Sequence, residues 1–449
     1  MMPLTTELAA FCAGLRFDDL PDGALPFIRI GFTDCVATLI AGRHDPVTQK
    51  LHKVLAPAPG ASTLFFGLGT AQPGMAAWLN ATAAHALDFD DAAQRGHLST
   101  VLVPSILAEA DALGASGRQM VTAYAAGYEA WAELIRREPD HYHNHSWHPT
   151  GVFGPIAVAA ACASLRGLDA ATTAQALAIA ASQCAGLIAN FGSMTKPFHA
   201  GRAANAGLVA AALAQEGFTG STDALEHPKG LMLGISPAGR VDLESPLEAG
   251  RVWKLPRGGV NVKKYPSCFA AHRALDGMLD LLAEHPVAPA QVERVVVTTS
   301  RRNRSTLRYA QPSTGLQAKF SMHFAMASAL IARRAGLTEL DDAFVLREDV
   351  QAMMHRVEVL PEDREDPARP GEAPQDVVMF QTTDGRQFSR AVDYVRGGPE
   401  HPLRPGELFA KFENCVAAGG MRGPARPLFD ALSAIDSQPG SAGLYPLAA

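Results

Sequence analysis

Two segments, WHPTGVFGPI (147–156) and MTKPFHAGRAANAG (194–207), bracket an alanine-rich run and decide how this chain folds. They place His148, Lys196, His199 and Arg202 at the ends of helices built from small residues. Gly151, Gly154, Gly201 and Gly207 let backbones approach closely or adopt positive φ. A basic and acid/base-capable cluster beside such backbone suits a pocket for an anion. The same composition also suits a plain helical core with satisfied histidines, so the rest of the chain has to decide.

Outward from that centre, apolar residues recur at helical spacing over 4–16, 24–42, 72–87, 98–137, 155–166, 170–189 and 202–216. Pro104 is expected near a helix start, and Asp169 as an N-cap. No strand signal precedes residue 250, so the first half reads as all-α. The texture changes after about residue 265. Val295–Thr299, His355–Leu360 and Asp376–Thr382 read as strands, and Asp384-Gly385 as a hairpin turn into Arg386–Tyr394. Residues 269–284 and 319–334 read as helices, 361–375 as a solvated loop, and 404–418 as helix again. The expected fold class is mostly α with an α+β insertion. A large all-helical domain takes residues 1–265, a smaller α+β unit takes 266–400, and the helical 401–449 joins the first domain if that unit is an insertion; the family resemblance given below makes the unit a lid.

With 449 residues, 47% hydrophobic and 19% charged, the chain is too long for one ordinary core and is not disordered in composition. A net charge of −6 without a basic stripe argues against nucleic acid. The apolar runs at 152–163 and 203–214 are too short to span a bilayer, so no membrane is expected. Cys12, Cys35, Cys162, Cys184, Cys268 and Cys415 are scattered, without a C-x-x-C pair, which fits reduced thiols in the cytoplasm. The N-terminal MMPLTTELAAFCAGL reads as lacking a secretory leader. Nucleotide-binding and serine-hydrolase motifs do not occur.

Three constellations can carry chemistry. The first is HALDFDD (85–91), followed by Gly96-His97. Apolar neighbours on both sides of Asp88 suggest that it is drawn inward, whereas Asp90 and Asp91 also suit an exposed helix end. An Asp/Asp/His metal site matches no trusted spacing. The second is HYHNHSWH (141–148). Its first three histidines are expected on an exposed loop, and His148 is the one expected to be buried and used. The third is KKYPSCFAAH (263–272), which groups Lys263, Tyr265, Cys268 and His272. His272 would activate Cys268 if the segment were helical, but a small buried thiol is the plainer account.

Together these segments resemble the MmgE/PrpD family. The matching pieces are AAHALDFDD (83–91), GYE (127–129), HPTGVFG (148–154), ASQCAGL (181–187), KPFHAGRAA (196–204), GFTG (217–220), VKKYPSC with His272 (262–272), AKFSMHFAMASAL (318–330) and HPLRPGELFAKF (401–412). The resemblance implies a helical domain built from both chain ends, an inserted lid, a homodimer, and catalysis without metal or organic cofactor. It also implies action on a small anionic carboxylate, as in the family's 2-methylcitrate dehydratases, cis-aconitate decarboxylases and iminodisuccinate epimerases. Asp88, His97, His148, Lys196 and Lys263 match that family's decarboxylase positions. Two positions depart from that branch: Ala92 stands where it has Thr, and Cys268 where it has His. Those departures argue against the decarboxylase and leave a dehydratase, an epimerase or another relative; a 2-methylcitrate dehydratase-like hydro-lyase is the first reading, with epimerase or decarboxylase as alternatives and a carboxylate-binding dimeric scaffold as the non-enzymatic one.

The chemistry common to these reactions is proton transfer at a carbon alpha to a carboxylate. Lys196, Lys263 and Arg202 are expected to hold carboxylates and offset developing negative charge. His97 or His148 would move the proton, Asp88 would orient a histidine, and Tyr265 would donate to an oxyanion. His199, Cys268 and His272 would line the substrate.

Overall fold

The computed structural model describes residues 3–367, 369 and 371–448. The chain divides into two compact units. The first comprises 1–189, 195–262 and 404–449, and the second 190–194 and 263–403.

The first unit opens with helices α1 (Leu4–Gly14), α2 (Ala24–Gly42) and α3 (Pro46–Leu55). A hairpin follows, β1 (Ser62–Leu64) against β2 (Gly69–Ala71). It corrects the all-α expectation for the first half: three-residue strands in a Gly-containing turn leave too short an alternation to be read from sequence. Next come α4 (Pro73–Ala86), α5 (Leu98–Leu113) and α6 (Gly117–Arg136). The single helical run expected over 98–137 is therefore two helices. Gly114 ends α5 in the left-handed region at φ 67°, and Ser116 with Gln119 forms a capping box that starts α6. Pro104 lies inside α5 rather than at its start, because the helix begins at Leu98.

The organising segment forms α7 (Pro149–Arg166), α8 (Ala170–Ala181) and α9 (Thr195–Gln215). Asp169 caps α8 by accepting from the Thr172 amide, as expected. The proline that follows His148 fixes the first turn of α7, so this helix starts six residues before the expected boundary. Close approach, not positive φ, explains the glycines. A Cβ on Gly207 would lie 2.4 Å from the Pro155 carbonyl oxygen, and one on Gly151 would lie 2.1 Å from that of Ala185. The backbone around Gly151 therefore packs directly on 185–186, where the His148 amide donates to the Gly186 oxygen at 3.0 Å. Helix α2 is the one described helix long and apolar enough to cross a membrane, but 72% of its apolar window is buried within the unit, the profile of a core helix.

The second unit contains α10 (His272–Glu284), β3 (Val292–Ser300), α11 (Met322–Ala332), α12 (Glu348–Met354), β4 (Val357–Glu362), β5 (Asp376–Thr382) and β6 (Gln387–Val392). The strand order is β4-β3-β5-β6, with β3 parallel to β4 and the other pairs antiparallel. Val295 pairs with Val357 on one side and Phe380 on the other, so the β-branched run that marked the change of texture sits in mid-sheet. Gly385, at φ 86°, turns β5 into β6. Strand β4 ends inside the expected 361–375 loop. The chain then returns to the first unit with α13 (Pro405–Ala418) and α14 (Ala425–Ser433).

Candidate active site

Within the first unit, the ends of four helices bring their polar residues to one place. His85 lies in the last turn of α4, and Asp88, Asp90 and Asp91 lie in the turn after it. His97 is the N-cap of α5, His148 the N-cap of α7, and Lys196 and His199 lie at the start of α9. Three helix N-termini thus converge here, and their dipoles and orphan amides favour negative charge. Asp88 adopts φ 51°, a conformation that Asp tolerates better than most residues.

The contacts are short. The Lys196 ammonium donates to His85 Nε2 and to Asp88 Oδ1, each at 2.9 Å. His97 Nε2 lies 3.8 Å from Asp88 Oδ1. Asp90 reaches both imidazoles from behind, with His85 Nδ1 at 2.8 Å and His97 Nδ1 at 2.9 Å. His148 and His199 meet through their Nδ1 atoms at 3.2 Å, so one of the two donates. All these groups are buried except His97, whose side chain keeps 12% exposure and gives the cluster its contact with solvent. Asp90 and Asp91 are fully buried, so the exposed-helix-end reading of that acidic run does not hold.

Burial sets the protonation states. It pulls His85 down to about 3, with Lys196 and His97 pushing the same way and Asp90 opposing. It pulls His199 down to about 4 and His148 well below its ordinary value, helped by Lys196 and the neighbouring rings. These three imidazoles are neutral at pH 7, able to accept a proton from a substrate but not charged beforehand. An unfolded histidine titrates near ~6.5, so between there and about 4 the unfolded state binds the proton that folded His199 refuses. His199 therefore has no proton-linked effect above that window and destabilises the fold increasingly as pH falls through it. His199→Gln is expected to show a shallower loss of the urea midpoint between pH 7 and pH 5 than the parent. Parallel curves would remove His199 from the buried cluster.

Ligand atoms of His85, Asp88, Asp90 and His97 lie within 4.8 Å of one another, as do those of His85, His97 and His148. As a metal site the set is compromised. The Lys196 ammonium already bridges His85 Nε2 and Asp88 Oδ1, and Asp90 engages the Nδ1 atoms of both rings.

Arg202 does not share the cluster's side of its helix. Six residues beyond Lys196, Arg202 is rotated about 240° around α9. It approaches Gln183 and Asn205, and its guanidinium lies 5.6 Å from the Trp78 ring centroid. His141 is buried and His143 half-buried, with their Nδ1 atoms 3.1 Å apart, so His145 is the one exposed member of that trio. Lys263, Tyr265, Cys268 and His272 belong to the second unit. There the Tyr265 hydroxyl donates to Asp276 at 2.8 Å, which commits it to a structural bond rather than an oxyanion. Cys268 precedes α10 and its amide donates to the Lys319 oxygen, while His272 Nε2 faces the Ser267 oxygen at 3.2 Å. His85 and Asp90 were missed as site residues. The signal was present, since His85 opens the HALDFDD run, but no spacing rule links a histidine to a carboxylate five residues on across a helix end.

Residues 6–244 match the MmgE/PrpD N-terminal domain and residues 265–426 match the MmgE/PrpD C-terminal domain. The chain belongs to the MmgE/PrpD family. Among curated relatives, it is similar to the cis-aconitate decarboxylase of Mus musculus, 25% identical over 437 residues that cover 91% of this chain and 86% of the relative. The enzyme of the same name from Homo sapiens is 27% identical over 357 residues, 76% of this chain and 72% of the relative. That from Aspergillus terreus is 25% identical over 301 residues, 63% and 61%. This MmgE/PrpD chain is accordingly an enzyme, and a lyase.

Proposed function

We propose that this lyase acts on a small di- or tricarboxylate by proton transfer at the carbon alpha to a carboxylate, without metal or organic cofactor. The observation that carries the reading is the buried Lys196 ammonium, set among neutral imidazoles where three helix N-termini converge. Such a site attracts an anion, and it holds proton carriers beside the fixed positive charge. The sequence alone favoured dehydration. The named relatives, all cis-aconitate decarboxylases, move decarboxylation to first place.

In decarboxylation of an unsaturated tricarboxylate, one carboxylate leaves as CO2. The electron pair of the broken C–C bond shifts the double bond along the chain, and a proton is taken up on the carbon alpha to a remaining carboxylate. Lys196 offsets the charge that develops on that carboxylate, and His97, the partly exposed ring, carries the proton. His148 and His199 shape the pocket and are the alternative carriers. Lys263, Tyr265, Cys268 and His272 enter this reading through family resemblance only. Hydro-lyase chemistry is the second reading. Ala92 favours it, since its backbone pairs with Asn261 but its side chain lacks the hydroxyl of the decarboxylase branch. A cytoplasmic homodimer is part of the same proposal.

A screen of di- and tricarboxylates in D2O tests it, scoring CO2 release, alkene formation and loss of optical rotation separately. The expected result is CO2 release from an unsaturated tricarboxylate, one deuterium on the product's alpha carbon, and a rate unchanged by chelators. Alkene formation from a hydroxy acid without CO2 selects the hydro-lyase. Absence of deuterium exchange with every carboxylate, or a rate abolished by chelators, overturns the proposal.

A further inference from the structure

Asp90 is fully buried, and its two carboxylate oxygens each face a different imidazole. His85 comes from α4 and His97 from the start of α5, so one carboxylate ties together two separately positioned rings. We propose that Asp90 is a positioning residue that fixes the tautomers of His85 and His97 together, leaving His85 Nε2 to accept from Lys196 and His97 Nε2 unprotonated beside Asp88, ready to take a proton. This deepens the functional reading above and rests on its assignment of His97 as proton carrier.

Two independent contacts fix the His85 tautomer. An ammonium can only donate, so Nε2, 2.9 Å from Lys196 Nζ, has no proton in the neutral ring. The proton is then on Nδ1, where the Asp90 oxygen accepts it at 2.8 Å. For His97, Nδ1 lies between two acceptors, Asp90 Oδ2 at 2.9 Å and the Asp91 carbonyl oxygen at 3.2 Å, so Nδ1 carries the proton. The Nε2 lone pair of His97 then lies 3.8 Å from Asp88 Oδ1. A proton arriving on Nε2 is stabilised by carboxylates on both sides of the ring, Asp88 and Asp90, which suits a ring that gains and loses one proton per turnover.

The environment keeps Asp90 charged. Burial pushes its carboxyl up, but His85 and His97 hold it well below the usual range. Asp34 and Cys35 of α2 and the adjacent Asp91 also face its field, with Lys411 acting on Asp34 and Asp91 behind it. Asparagine in place of Asp90 has one accepting oxygen and one donating amino group, so one of the two rings loses Asp90 as acceptor. A donor then faces that ring's Nδ1 and drives its proton toward Nε2, with the Asp91 oxygen as the remaining Nδ1 partner of His97. In His85 this opposes Lys196, donor against donor, and in His97 it blocks the accepting position.

The test reads tautomers directly, without substrate, so a wrong substrate assignment leaves it intact. In protein labelled with 15N-histidine, His85 and His97 are assigned by loss of signal in His85→Gln and His97→Gln. At pH 7 both rings are expected in the Nδ1–H form. Asp90→Asn is expected to convert at least one to Nε2–H and to lower kcat about 100-fold, with KM within a few-fold. An Nε2–H form of either ring in the parent protein overturns the proposal whether or not the variant folds. A folded Asp90→Asn that keeps both tautomers overturns it too, whatever happens to kcat, because its effect is then merely structural.

Discussion

Lys196→Met is expected to cut turnover by at least ~100-fold while the protein remains folded. The residue is only 4% exposed, and its ammonium meets both His85 Nε2 and Asp88 Oδ1 at 2.9 Å. Methionine nearly matches the side chain in length and packing but has no charge, so the change removes the cation and little else. Two consequences follow. A substrate carboxylate loses the buried positive charge that lies among the imidazoles, which raises KM. The charge that builds up as the alpha carbon changes hybridisation loses its partner, which lowers kcat. Asp88 also loses its ammonium, so some stability goes with it, and a thermal melt has to accompany the kinetics. His148→Ala in the same background should add little, because groups that act on one transition state are not additive. A folded double variant that turns over polycarboxylates at the parent rate would remove both residues from the chemistry.

How far this site was legible in the sequence depends on the distance over which each signal acts. The HPTG and KPFHAG segments announced their helix starts through proline and small residues, and His148, Lys196 and His199 do lie in one cluster. Helix α8 was visible through its Asp169 cap, and β3 through its β-branched run Val295–Thr299. Local signals of that kind survive folding. The misses are non-local or depend on phase. Arg202 was named because it lies near Lys196 in the chain, but helical phase turns it toward Trp78. Tyr265 was named for its phenol, and Asp276, eleven residues on, accepts the hydrogen bond of that phenol. Asp90 gave no sign of bridging two rings, because composition does not encode which face of a turn is buried.

Lys411 is the clearest case of a residue no local pattern reveals, and its removal is expected to have the largest effect on stability. It comes from α13, on the returning C-terminal segment. Its Nζ lies 2.5 Å from Asp34 Oδ1 and donates to the Phe89 oxygen at 2.8 Å, 322 residues away in sequence. It also lies 4.2 Å from the Phe89 ring centroid. Asp34 and Asp91 are buried side by side, and burial raises both carboxyls, with Lys411 pulling them back down. Lys411→Met deletes the one cation of that set, and breaking a buried pair from one side costs about 3–5 kcal/mol. The sign of its pH dependence follows from the raised carboxyls. Without the ammonium they rise further, so from their unfolded value near ~3.9 up to the new folded value, the folded state binds more protons than the unfolded chain. Stability of the variant must then fall as pH rises through that window, and the defect relative to the parent should be larger at pH 8 than at pH 5. Urea unfolding at the two pH values measures it, and adding Asp34→Asn should recover part of the loss at pH 8 by removing the unpaired charge. An equal defect at both pH values would mean that Lys411 stabilises by packing on Phe89 and not by holding the acidic floor of the site together.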